Sequence, residues 1–183
     1  MERSTFESLA LEHFDACYRL ALTLAKHPDE AADLVQETYL RALRSAGTFA
    51  EERGGGMRSW LFTILHNVFY SRAERKARAP GLSENLDQTV GDRHPTPDEP
   101  TPAWDLRSLD WEHVDDRIKK AIEGLSDEHR EVLLLWGVEG MKYREIAGIL
   151  GVPIGTIMSR LHRARGVLAD SLEEMAKERG WTN

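Results

Sequence analysis

Apolar residues recur at helical spacing through most of this chain. Phe6, Leu9, Ala10, His13, Phe14, Cys17, Leu20, Ala21 and Leu24 form one broad stripe. A second helix is predicted from Pro28, which suits a first turn, with Asp29 and Glu30 favourable near its positive end. On it Ala31, Leu34, Val35, Thr38, Tyr39, Ala42 and Leu43 face inward, while Asp33, Gln36, Glu37, Arg41 and Arg44 face out. A third helix is expected over residues 59–78, with Trp60, Leu61, Ile64, Leu65, Val68 and Phe69 in its core. Further on, Trp111, Val114, Ile118, Ala121 and Ile122 make another stripe. Ser126 is expected to cap the helix after it, with Asp127 and Glu128 in the first turn and Val132, Leu133, Leu135 and Trp136 packing inward. Gly140 marks the next turn.

The last two predicted helices are the most informative. The span 143–150 places Ile146, Ala147 and Leu150 on one face. Gly151 stands where a left-handed C-terminal residue is needed, and Pro153 follows where a helix cannot continue. The final helix is expected to open near Gly155 or Thr156, with a core stripe of Ile157, Leu161, Ala164 and Leu168. Its other face carries Met158, Ser159, His162 and Arg163, and no carboxylate interrupts it before Asp170. A helix, a tight turn and a basic second helix make a device for reading the major groove of DNA. Arg163 can bond guanine in a bidentate way, worth roughly 1–3 kcal/mol of discrimination. Thr156, Arg160 and Arg165 lie at the flanks and suit phosphates, which position without specifying.

The helical stretches fall into two sets. Five of the seven prolines, Pro80, Pro95, Pro97, Pro100 and Pro102, sit between them with Gly81, Gly91 and several acids. The fold class read from this pattern is all-α: two small helical bundle domains joined by a flexible linker, the C-terminal one containing the helix-turn-helix. The domains are expected at 1–78 and 108–183, with an acidic, Pro-rich linker at 79–107. A flexible segment of that length spans about 30 Å on average.

Composition narrows the chemistry. The chain has 183 residues, 41% hydrophobic and 30% charged, with a net charge of −7. One basic helix on an acidic protein points to a dedicated contact rather than a generally sticky surface. No apolar run approaches bilayer length and no secretion signal is visible, so a cytoplasmic protein without membrane insertion is expected. The single cysteine, Cys17, excludes an internal disulfide and lies within an apolar stripe, so it reads as a small buried hydrophobe. Gly54, Gly55 and Gly56 are not followed by a Lys-Ser or Lys-Thr pair, which excludes a nucleotide-binding P-loop. The end of the third helix joins aromatics to cations in His66, Asn67, Tyr70, Ser71, Arg72 and Arg75, a combination that suits single-stranded nucleic acid.

Three segments together resemble the extracytoplasmic-function class of bacterial RNA polymerase sigma factors. They are DEAADLVQETYLRALR at 29–44 and WLFTILHN at 60–67, similar to the family's region two, and residues 125–168, similar to its region four. The resemblance implies that Asp33, Gln36 and Glu37 dock on the clamp coiled coil of the polymerase β′ subunit. It implies that the loop at 50–59 captures a base flipped from the −10 element. Arg58, Trp60, His66, Asn67, Tyr70, Ser71, Arg72 and Arg75 would contact that element, with Asn67 and Ser71 reading or supporting the flipped base. Thr156, Met158, Ser159, Arg160, His162, Arg163 and Arg165 would contact the −35 element. The other implied partners are the polymerase β flap, promoter DNA and an anti-sigma factor; no cofactor and no metal is implied. Met158 stands where many members carry Arg. The run from Pro153 to Arg163 is similar to a subgroup that controls thiol-stress responses.

Two rival readings are open to the residues. A stand-alone helix-turn-helix regulator would bind DNA without polymerase, but Asp33, Gln36 and Glu37 have no role in it. An enzyme would use the titratable cluster Asp127, Glu128, His129, Arg130 and Glu131. Acids are stabilising at a helix start in any case, and no catalytic motif accompanies them, so catalytic residues are expected to be none.

Overall fold

The computed structural model describes residues 3–49, 56–78 and 116–178. The linker expected at 79–107, most of the loop at 50–59 and the stripe residues Trp111 and Val114 lie outside them. The described residues are helical, and the chain divides into two compact units.

The first unit contains α1 (Arg3–Leu11), α2 (Phe14–Ala25), α3 (Pro28–Arg44), a 3₁₀ turn (Ala46–Thr48) and α4 (Gly56–Arg78). Its core joins Phe6, Ala10, Cys17, Leu20, Ala21, Leu24, Leu34, Leu61, Phe62, Leu65 and Val68. The α3 helix packs against both α2 and α4. The N-terminal stripe is broken into two helices at Glu12 and His13, and Phe14, expected inside, opens α2 at 44% exposure. Side-chain spacing alone carries no mark of that break, because neither Gly nor Pro stands there. Between α2 and α3 the chain turns through Lys26, a non-glycine residue at φ 63° whose N–H bonds the Leu22 carbonyl.

The α3 helix begins at Pro28, with Asp29 and Glu30 in its first turn and Arg41 and Arg44 in its last, as the macrodipole favours. Ala31, Leu34, Val35, Thr38 and Ala42 are buried as expected, but Leu43 is 40% exposed and Leu40 48%. Tyr39 spans the unit instead of filling it, its hydroxyl donating to the Ala10 carbonyl at 2.8 Å. Burial, then the neighbouring Cys17, pushes that phenol well up from its ordinary range, so it stays a donor. Helix α4 starts at Gly56, three residues before the expected position, because Met57 is drawn into the core. Phe6, Phe49 and Trp60 form an edge-to-face cluster, with ring centroids 5.4 to 6.1 Å apart. It fixes the start of α4 beside the end of the 3₁₀ turn.

The second unit holds α5 (Asp116–Gly124), α6 (Asp127–Gly137), the first half of α7 (Tyr143–Leu150) and α8 (Ile154–Glu178), with α8 packed against α5 and α6. From Arg130 to Gly137, α6 is buried on every side, Arg130 and Glu131 included. Ser126 occupies its cap position, yet its hydroxyl does not bond the backbone. The His129 ring, one turn on, intercepts it, with Oγ 2.5 Å from Nδ1. Gly140 takes φ 61° in the following turn. At the start of α7, the Lys142 N–H donates to the Glu145 carboxylate at 2.8 Å, one half of a capping box.

Candidate functional site

In the first unit the exposed chemistry lies on α3 and α4. Asp33 and Gln36 are exposed, one turn apart on the outer face of α3. An open apolar groove of about 340 Å³ lies beside Gln36, lined also by Phe14, Tyr18, Ala32, Val35 and Tyr39. Glu37, expected to share the outer face, is half-buried and committed. Its Oε1 accepts from Arg41 at 2.5 Å, and its Oε2 accepts from Arg72 Nε at 2.8 Å and from Arg72 Nη2. Arg72 Nη2 also donates to the Asp33 carbonyl at 3.2 Å. Burial pushes the Glu37 carboxyl up, but the Arg72 and Arg41 bonds and charges outweigh it and hold it below its ordinary value. A residue assigned to polymerase and one assigned to DNA are therefore each other's partners.

On α4, Asn67 and Ser71 are exposed and four residues apart, so they stand one above the other on one line. His66 and Tyr70 flank that line with rings 4.5 Å apart, and Phe69 meets Tyr70 edge-on at 5.1 Å. This is a stacking surface beside an amide and a hydroxyl, the kit an unstacked base requires. Arg75 is exposed, with its Nε donating to the Ser71 carbonyl at 3.1 Å. Arg58 and Trp60 sit at the start of α4, both half-buried, with Trp60 held in the Phe6 and Phe49 cluster.

Helix α7 ends at Leu150, the following Gly151 takes φ 65°, and α8 begins after Pro153 at Ile154. The inward stripe of α8 is complete: Ile157 and Ala164 are fully buried, and Leu161 and Leu168 are nearly so. His162 and Arg163 are exposed on the other side, with Met158 and Ser159 half-buried beside them. The Ser159 hydroxyl donates to the Thr156 carbonyl at 3.2 Å.

The two flanking arginines each meet a residue of α6. Arg160 pairs with Glu128 of α6 at 2.7 Å and keeps only 19% of its side chain exposed. Arg165 lies over the ring of Trp136, 5.5 Å from its centroid. Both contacts tie the outer edge of α8 to α6. Sequence reasoning placed these residues correctly on the helix but could not see which neighbour each would meet. His129 completes this junction. Its burial, then the charges of Arg160 and Arg163, hold its imidazole below the ordinary value, against a smaller opposing pull from Glu128.

No group of three or more His, Cys, Asp or Glu side chains able to hold a metal occurs among the described residues, and no described helix is long and apolar enough to cross a membrane. Cys17 is fully buried, as its place in the stripe predicts.

Comparison with known proteins agrees with both halves of this picture. Residues 9–79 match the model of sigma-70 region 2, and residues 115–168 that of sigma-70 region 4. The chain is 34% identical to the sigma factor SigL of Mycobacterium tuberculosis over 178 residues, covering 97% of this chain and 94% of SigL. It is 31% identical to SigE of Mycolicibacterium smegmatis, covering 95% of this chain but 64% of SigE, so it spans under two thirds of that relative. Among solved structures it is similar to the sigma factor RpoE of Bartonella quintana, determined in complex with the anti-sigma factor NepR. The identity is 34%, the TM-score 0.68, and the match covers 92% of this chain and 97% of RpoE. The chain belongs to the sigma-70 family of RNA polymerase sigma factors, in the extracytoplasmic-function class.

Proposed function

We propose that this chain directs core RNA polymerase to promoters with two elements and helps to melt them, binding DNA without covalent chemistry of its own. The observation that carries the reading is the α7–Gly151–α8 hairpin, whose second helix buries a complete apolar stripe and exposes His162 and Arg163 opposite it. Those two side chains, with Met158 and Ser159, would read the −35 element in the major groove. In the other unit Asn67, Ser71, His66 and Tyr70 would take the unstacked base of the −10 element, offsetting the few kcal/mol, roughly, that flipping costs. Asp33 and Gln36, with the apolar groove beside Gln36, would meet the basic coiled coil of the polymerase β′ subunit; the second unit would rest on the β flap.

In vitro transcription with core polymerase tests this. Arg163→Ala should reduce use of the upstream element by roughly 5- to 100-fold, the loss of one good base contact. Asn67→Ala should leave promoter binding in place and slow opening. Unchanged specificity and opening in both variants would remove these assignments.

RpoE of Bartonella quintana binds an anti-sigma protein. By the same reasoning an anti-sigma factor would hold this chain inactive by covering its polymerase- and DNA-binding faces. A bacterial cytoplasmic location follows from that role.

A further inference from the structure

We infer that Glu37 and Arg72 act as a brace between α3 and α4 that sets the polymerase-facing and DNA-facing residues in one register, and that Glu37 is a positioning residue rather than a polymerase contact. This rests on the function proposed above and refines how its first unit works.

The geometry leaves Glu37 little to offer a partner. Three N–H groups already converge on its two oxygens: Arg41 Nη2 on Oε1, and Arg72 Nε and Nη2 on Oε2. One carboxylate and two guanidinium groups carry a net charge of about +1 at neutral pH. A basic coiled coil approaching Glu37 would meet that positive cluster, and would have to displace an arginine to reach an oxygen. Asp33 and Gln36 on the same helix are exposed and offer acceptors without that obstacle.

The same contact constrains the DNA side. Arg72 follows Ser71 directly, so the two side chains project about 100° apart around α4. Pinning Arg72 to the Glu37 carboxylate and to the Asp33 carbonyl fixes the rotation of α4 against α3. That sets where the Asn67–Ser71 line points relative to the Asp33–Gln36 face. Arg72 thus serves DNA by aiming its neighbours, with its Nε and Nη2 donors committed to α3.

The test uses the full chain with core polymerase. Glu37→Gln, Arg72→Gln, the double variant and the exchanged pair Glu37→Arg/Arg72→Glu are compared for core affinity, for opening rate at saturating core, and for melting temperature. The brace predicts that both single variants and the double variant lose core affinity by a similar factor, about two- to fivefold. It predicts that Glu37→Gln also slows opening at saturating core and that the exchanged pair recovers both properties. If Arg72→Gln binds core like wild type while Glu37→Gln and the exchanged pair do not, Glu37 touches the polymerase and the brace is overturned. Losses that add in the double variant, or that appear only in melting temperature, overturn it equally. A wild-type chain that core polymerase ignores would instead remove the proposed function itself.

Discussion

Arg130 is 2% exposed, and its guanidinium finishes a helix that is not its own. Nε donates to the Ile122 carbonyl at 3.2 Å, which also accepts the Leu125 N–H at 3.2 Å, and Nη2 donates to the Leu125 carbonyl at 2.6 Å, just past the end of α5. Asp127 Oδ1 balances the charge at 2.9 Å, although its carboxylate is 44% exposed and contributes less for that reason. Arg130→Met keeps the buried stem and removes the donors. It should cost about 1–3 kcal/mol, the penalty for stranding the Leu125 carbonyl. Urea denaturation reads this directly, and a loss well under about 1 kcal/mol would mean another group satisfies that carbonyl. His129, next to it, gives the unit a pH dependence. Its folded pKa is lowered, so the unfolded chain binds the proton more readily. The neutral ring's contribution is intact above the ordinary value of about 6.5 and is lost as pH falls below it. His129→Gln should therefore lose less stability than wild type between about pH 7 and pH 5.5. Parallel urea midpoints for the two proteins across that range would exclude the histidine as the source.

At the scale of elements, α8 is placed by one buried stripe and two edge contacts, Arg160 with Glu128 and Arg165 with Trp136. Spacing made the stripe legible, because the face of a helix is a local property of every third or fourth residue. The edge contacts were not legible, since each depends on a residue some thirty positions away that only the packed helices bring near. The brace between Glu37 and Arg72 has the same character. Turn chemistry lies between these cases: Gly151 and Pro153 announce the end of α7, whereas Lys26 turns left-handed with no glycine to signal it. The glycines of the helix-turn-helix give predictions of opposite sign. Gly151 has open space around it but φ 65°, so Gly151→Ala should destabilise by about 1 kcal/mol through backbone strain alone. Gly148, inside α7, has open space and no left-handed backbone, so Gly148→Ala should stabilise by about 0.5–1 kcal/mol. Thermal melts of the two variants should move in opposite directions. A shared direction would contradict the backbone argument.

For the whole molecule, charge sets what it can do alone. The chain carries a net −7, so duplex DNA is repelled at long range and attracted only locally. Among the described residues, the exposed cations of the helix-turn-helix are Lys142 just before α7, Arg144 on α7, Arg163 and Arg165 on α8, and Lys177, which is paired with Glu173. Even if the first four reached phosphates, the salt dependence of their binding would have a slope of only about −4 in log K against log salt. A hairpin with so small a cationic footprint needs a larger body to hold it on DNA. On the function proposed above, polymerase holding both units over one promoter would make the second contact intramolecular, which raises apparent affinity by roughly 10²–10⁴ without any new bond. The free chain should therefore bind a labelled promoter duplex weakly, with a slope between about −2 and −4, while the polymerase-bound chain binds it tightly and selectively. Fluorescence anisotropy at several salt concentrations, with and without core enzyme, separates the two states. Tight, sequence-selective binding by the free chain would favour a regulator that works without polymerase. It would also require an electrostatic surface well beyond Lys142, Arg144, Arg163 and Arg165, because a slope near −4 leaves too few released counterions to supply that affinity.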